Sequence, residues 1–119
     1  MTPSRRKVGK KGEEWVARYL TLQGCTILAR NWRCTQGELD IVARSADTLV
    51  LVEVRTRRSE ALGPPEESVT PAKQARLRAL AEAAVQAWGW QGPWRIDVAA
   101  VDLTGDQMHI RWLKDAVEG

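Results

Sequence analysis

Asp40 and Glu53 are the residues whose type and spacing point most directly to chemistry. They lie in two runs rich in β-formers, Gly37-Glu38-Leu39-Asp40-Ile41-Val42-Ala43-Arg44 and Leu49-Val50-Leu51-Val52-Glu53-Val54-Arg55, with Ser45-Ala46-Asp47-Thr48 between them. Runs of this kind joined by turn residues predict an antiparallel hairpin. With the turn centred on Ala46-Asp47, Arg44 falls opposite Leu49, Asp40 opposite Glu53, and Glu38 opposite Arg55. Alternation along a strand gives Glu38 and Asp40 one face, and Glu53 and Arg55 one face. Directly opposed carboxylates about 5 Å apart at Cβ repel by about 3 kcal/mol at an effective dielectric of roughly 20. A favourable cross-strand pair contributes only about 0.2–1 kcal/mol, so something must offset the repulsion. Three arrangements would do so: a divalent cation shared by both groups, a raised pKa on one of them, or neutralisation by Arg55 in a salt-bridge network.

The elements around the hairpin decide what else can reach it. A first helix is expected from around Lys10–Gly12 to Gln23, with Gly24 as its terminating glycine. At about 100° per residue, Trp15, Val16, Ala17, Tyr19, Leu20 and Leu22 form a broad apolar arc, while Glu14, Arg18 and Thr21 point away. Glu13 falls inside the arc and faces the body of the protein. It either uses the helix dipole and an arginine partner, or is a third acid directed at the hairpin. A short strand is expected over Thr26–Trp32, followed by a polar loop over 33–36. Residues 59–68, with Gly63-Pro64-Pro65, read as an irregular loop long enough to contact a substrate.

Thr70-Pro71 is a helix start, with Thr as N-cap and Pro at the first helical position. Leu77, Leu80, Ala81, Ala84, Val85 and Trp88 supply the apolar stripe of this second helix, which stops before Gly89. Lys73 lies one turn before Leu77 on the stripe side, so its amine reaches the edge of the core face or snorkels to solvent. Strands over Trp94–Asp102 and Gln107–Leu113, joined through Gly105-Asp106, complete the order α-β-β-β-α-β-β. That order is α+β or α/β around a central mixed sheet. The six tryptophans stand in for absent phenylalanines; most are expected in the core, with Trp88, Trp90, Trp94 and Trp112 suited to lining part of an interface.

At 119 residues, 44% apolar and 28% charged, the chain is expected to be one domain spanning 1–119. No segment approaches the roughly 20 apolar residues of a membrane span, and the basic start lacks a signal-peptide core. A cytoplasmic protein without a membrane partner is expected. Cys25, Cys34 and the single His109 have no zinc-type spacing, so two reduced thiols are expected. The net charge of +3 is clustered. Arg5, Arg6, Lys7, Lys10 and Lys11 come first, with 1–9 read as a flexible basic tail. Arg55, Arg57 and Arg58 close the hairpin, and Lys73, Arg76 and Arg78 open the second helix. Such clusters are solvated surface charge, or they contact a phosphodiester backbone.

Asp40, a gap of twelve residues, then Glu53-Val54-Arg55 resembles the Asp…Glu-x-Lys signature of the PD-(D/E)xK nuclease superfamily. The chain more closely resembles the bacterial YraN-like endonuclease family. That resemblance rests on Gly9-x-x-Gly12-Glu13, Ala17 with Tyr19-Leu20, Gly24, Ile27-Leu28, Arg30-Asn31, Gly37-Glu38-x-Asp40 and Val52-Glu53-Val54-Arg55-x-Arg57. Val69 with Lys73, Arg76 and Leu77, and Arg95-Ile96-Asp97-Val98, complete it, so nearly the whole chain is covered.

The resemblance implies a restriction-endonuclease-like mixed sheet flanked by helices. It also implies a metal-dependent phosphodiesterase site similar to that of archaeal Holliday-junction resolvases. Glu13, Asp40 and Glu53 would bind Mg²⁺ or Mn²⁺ with the Val54 carbonyl, and a homodimer on nucleic acid, DNA favoured, would follow by analogy. Arg5, Arg6, Lys7, Lys10, Lys11, Arg57, Arg58 and Arg76 would hold phosphates. Arg55 departs from the family's lysine. Guanidinium stays charged above pH ~12, so it stabilises the transition state but does not activate water. Either metal-bound water needs no protein base, or Lys73 substitutes, or activity is weakened. Glu38, opposite Arg55, would orient that guanidinium. The other reading is a nucleic-acid-binding module or auxiliary subunit without turnover.

Overall fold

The computed structural model describes residues 5–58 and 70–117, and side chains over 11–57 and 70–117. Helix α1 (Arg5–Leu22) precedes strands β1 (Thr26–Cys34), β2 (Gly37–Ser45) and β3 (Thr48–Arg58). Helix α2 (Pro71–Ala87) and strands β4 (Trp94–Thr104) and β5 (Gln107–Val117) follow. The fold is α+β, and its five strands form one mixed sheet in the order β1-β2-β3-β4-β5. Neighbours are antiparallel except β3 and β4, which run parallel across the α2 crossover.

Both helices end as their sequences dictate. Gly24 has φ +95° and Gly89 φ +57°. The following residues close the helix ends, with Cys25 N–H donating to Leu20 O at 2.9 Å and Trp90 N–H to Val85 O at 2.9 Å. This is the left-handed glycine termination. Thr70 Oγ1 accepts Lys73 N–H at 3.3 Å, and Pro71 opens α2. The start of α1 differs from expectation. Residues 5–9 are helical rather than a flexible tail, because Arg, Lys and Val all tolerate a helix and only Gly9 opposes it. The expected loop over 59–68 lies outside the described residues. β1, β4 and β5 run longer than expected, so only Thr35-Gln36 turns between β1 and β2.

Each helix covers one face of the sheet. Val16, Ala17 and Leu20 of α1 pack on Ile41, Ala43, Val50, Val52, Ala99 and Val101. Leu77, Leu80, Ala81 and Ala84 of α2 pack on Leu39, Val42, Leu49, Leu51 and Ile96. The core stripe of α1 is narrower than its apolar arc: Trp15 and Leu22 are 45% and 83% exposed. The cause is how closely the helix lies on β3. A Cβ built on Gly12 would run into Thr56 Oγ1, and Val16, Ala17 and Leu20, flanked by Tyr19, are the residues of the arc that pack on the sheet. Trp32, Trp88, Trp90 and Trp94 pack at the α2 side and Trp112 at the α1 side. Among the described residues, no helix is long and apolar enough to cross a membrane.

Candidate active site

The hairpin register is the expected one, with Ile41 opposite Val52, Arg44 opposite Leu49, and Ser45 opposite Thr48 around the Ala46-Asp47 turn. The β2–β3 ladder runs no further than Ile41–Val52, and there Asp40 departs from strand geometry. Leu39 and Val42 both face α2 while Ile41 faces α1, so the alternation breaks at Asp40. On β1 the break is mirrored: Arg30 pairs with Ile41 and Trp32 with Leu39, and the skipped residue, Asn31, has φ +53°. Asp40 therefore projects into the gap between β2 and β3, where its Oδ2 accepts Val54 N–H at 2.7 Å. A side-chain carboxylate has replaced a ladder carbonyl. The N–H and C=O of one strand residue point to the same neighbour, so the Val54 carbonyl points into this gap too.

Two further carboxylates meet Asp40 from opposite faces of the sheet. Glu13 comes from α1, and Glu53 stands on the α2 face of β3, in alternation with Leu51. Each lies within electrostatic reach of Asp40. Burial above all, and then the charge of Asp40, push Glu13 from 4.5 to about 7, against a smaller opposing pull from Arg30 and Asn31. Burial likewise leads for Glu53, which rises from 4.5 to about 8 although Arg55 and Arg76 pull it down. The unlike charges nearby are thus outweighed.

These contacts bear on the three ways of offsetting the Asp40–Glu53 repulsion. Among the described residues, the salt bridges around Glu53 are loose. Arg55 Nε and Nη2 are buried without a hydrogen-bond partner among the described residues, and Arg76 Nη2 stands 3.8 Å from Glu53 Oε2, beyond hydrogen-bond range. Burial and the charge of Asp40 raise both glutamates instead. Among the described residues, no group of three His, Cys, Asp or Glu side chains is arranged to hold a metal ion. The donor set of Glu13, Asp40 and Glu53 is nonetheless all oxygen, the chemistry a hard divalent ion takes.

Asp97 shows what a purely structural aspartate looks like in the same sheet. It also sits at a ladder irregularity, between Ile96 and Val98, and its Oδ1 accepts Asp115 N–H at 2.8 Å. It is fully buried, yet Arg95 Nε donates to both its oxygens (3.0 and 3.1 Å) and Trp112 Nε1 donates to Oδ2 at 2.7 Å. Asp97 is neutralised by its surroundings. Asp40 is flanked by two more acids.

Not all expected residues converge. Glu38 does not orient Arg55: the break at Asp40 leaves Glu38 on the α1 side and Arg55 on the α2 side. Glu38 Oε2 instead bonds Arg33 Nε at 3.2 Å. From α2, the cation described at Glu53 is Arg76; Lys73, three residues earlier, is half-buried. Arg57 lies 3.9 Å from Asp102 in a largely buried pair. Lys11 is exposed, and the side chains of Arg5, Arg6, Lys7, Lys10 and Arg58 lie outside the described ones. Asn31 carries a role that sequence reasoning missed. Its amide nitrogen, in the orientation that matches donors to acceptors, donates to Glu13 Oε2 at 2.8 Å and Glu38 Oε1 at 3.0 Å. Its available signal was an Asn, the residue after Gly most tolerant of left-handed backbone, within a strand.

Comparison with known proteins adds a family. Residues 12–101 match the model of the uncharacterised protein family UPF0102. A UPF0102 protein of Roseiflexus castenholzii is 48% identical over 122 residues, covering 99% of this chain and 98% of the relative. One from Acidothermus cellulolyticus is 60% identical over 80 residues, or 67% of this chain and 61% of the relative. One from Herminiimonas arsenicoxydans is 43% identical over 97% of this chain and 90% of its own length.

Proposed function

The chain belongs to the uncharacterised protein family UPF0102, and from its carboxylate cluster we propose that it is a divalent-cation-dependent nuclease. It would hydrolyse phosphodiester bonds of nucleic acid, with DNA favoured and branched or structured DNA included. One observation carries this reading: Asp40, held in the gap between β2 and β3 by Val54 N–H on its Oδ2, has Glu13 and Glu53 so near that its charge adds to burial in raising both of them. Three acids are brought together there, and the arginines near Glu53 do not outweigh the burial and charge that raise it. The likeness of Asp40 and Glu53-Val54-Arg55 to the PD-(D/E)xK pattern supports the same reading.

Glu13, Asp40 and Glu53, with the Val54 carbonyl, would hold Mg²⁺ or Mn²⁺. When bound, such an ion polarises the scissile phosphate and acidifies an attacking water. The rest falls to the protein's own groups. Arg55 would offer its Nε and Nη2 hydrogens, unpaired among the described residues, to a non-bridging phosphate oxygen as its charge grows. It takes no proton from water, so the reading needs no base at position 55; Lys73 is the alternative acceptor on α2. Arg76, whose side chain is 53% exposed, is placed to hold a neighbouring phosphate.

A second reading, a nucleic-acid-binding module or auxiliary subunit without turnover, is favoured by Arg55 standing where lysine is usual. The two are separated by cleavage of labelled duplex, single-stranded and four-way-junction DNA and of RNA, with Mg²⁺ or Mn²⁺. Loss of cutting in Glu53→Ala with a gain in Arg55→Lys supports the nuclease. No cutting of any substrate, with salt-sensitive binding retained, supports the module.

A further inference from the structure

We infer that Asn31 is a positioning residue for the cation site, holding the Glu13 carboxylate against Asp40; this rests on the metal reading above. Asn31 lies on the edge strand β1 and is exposed, so core packing does not fix it. It nevertheless adopts φ +53°, a conformation that disfavours side chains with a Cβ. That backbone turn takes Asn31 out of the β1–β2 pairing at the position opposite Asp40. Both amide hydrogens are then used on carboxylates, one on Glu13 Oε2 and one on Glu38 Oε1. Glu38 is held in turn by Arg33.

The result is a continuous line of polar contacts from Arg33 through Glu38 and Asn31 to Glu13, with Asp40 within electrostatic reach of Glu13. Asn31 is the neutral link in it. An amide between two acids donates to both without adding charge, and of the residues proposed to bind the cation its hydrogen bonds reach Glu13. A carboxylate at the end of a helix-borne side chain has several rotamers, and two fixed neighbours, Asn31 and Asp40, select one. Asn31 therefore acts on the cation through Glu13, as residues that orient metal ligands do.

The alternative is that Asn31 serves only the backbone, breaking up an exposed edge. Two variants separate these roles. Asn31→Gly accepts positive φ without strain and removes the amide; Asn31→Asp also tolerates the conformation and replaces the amide donor by an acceptor. Both are measured with wild type by Mn²⁺ titration calorimetry in the absence of substrate, with thermal unfolding alongside. The expected result is a Kd for Mn²⁺ weakened about 10-fold or more in both variants, with unfolding of the glycine variant close to wild type. Wild-type Mn²⁺ affinity in either variant overturns the inference and leaves the metal site standing. A wild type that takes up no Mn²⁺ removes the metal reading and this inference with it.

Discussion

Protons on Glu13 and Glu53 tie stability to pH in an unusual direction. Both groups rise on folding, from 4.5 to about 7 and about 8, so between those values the folded chain binds more protons than the unfolded one. Stability then falls as pH rises. Their contribution is fully present below pH about 4.5 and is lost as pH passes through about 7 and about 8. In chelator, the Tm of wild type should fall between about pH 5 and pH 8.5, and Glu53→Gln should remove much of that slope; a flat wild-type profile would contradict the upward shift of both glutamates. Arg55 gives a second prediction. On the nuclease reading, Arg55→Ala removes a positive charge near the proposed ligands and the two donors proposed for phosphate, so Mn²⁺ should bind more tightly while cleavage falls about 10²–10³-fold. The opposite split would move Arg55 into ligand support. Glu13 was readable from helical phase, since an acid inside an apolar arc has to meet something. Glu38 was misassigned because strand alternation was assumed to run unbroken through Asp40.

At the level of elements, α1 places Glu13 by lying close on β3. Helix propensity alone favours Ala over Gly at position 12 by about 1 kcal/mol. Overpacking against the stiff, β-branched Thr56 costs about 1–3 kcal/mol, and the clash should win. Gly12→Ala is expected to lower stability by about 1–2 kcal/mol net and to weaken Mn²⁺ binding. Adding Thr56→Ala, which removes the colliding Oγ1, should recover most of both losses in a double-mutant cycle. Strand β4 uses its own buried acid differently. Asp97→Ala leaves Arg95 and Trp112 Nε1 without their acceptor and should cost about 3–5 kcal/mol in denaturant unfolding, with no change in Mn²⁺ affinity for the folded fraction. A loss of affinity there would mean that the two aspartates are coupled across the sheet.

For the whole molecule, the site joins what the sheet keeps apart. Glu13 approaches with α1, Glu53 stands on the α2 face, and Asp40 connects them only because β2 and β3 part beyond Ile41 and Val52. A cation held by these groups should therefore stabilise the entire domain. At one hundred times Kd, Mn²⁺ should add about 2.7 kcal/mol, a Tm rise of roughly 10 °C for a domain of this size, and Asp40→Ala should abolish it. By itself the sequence determined the element order, both helix ends and the hairpin register from Ser45–Thr48 to Ile41–Val52, because apolar period, glycine and proline positions and turn residues are local properties of the chain. The tertiary structure alone decided that the Asp40 side chain bonds Val54 N–H, that Arg76 pairs with Glu53, and that Asn31 grips Glu13. Those outcomes depend on where ladders open and how closely a helix settles on a strand, and such distances belong to packing between segments far apart in sequence.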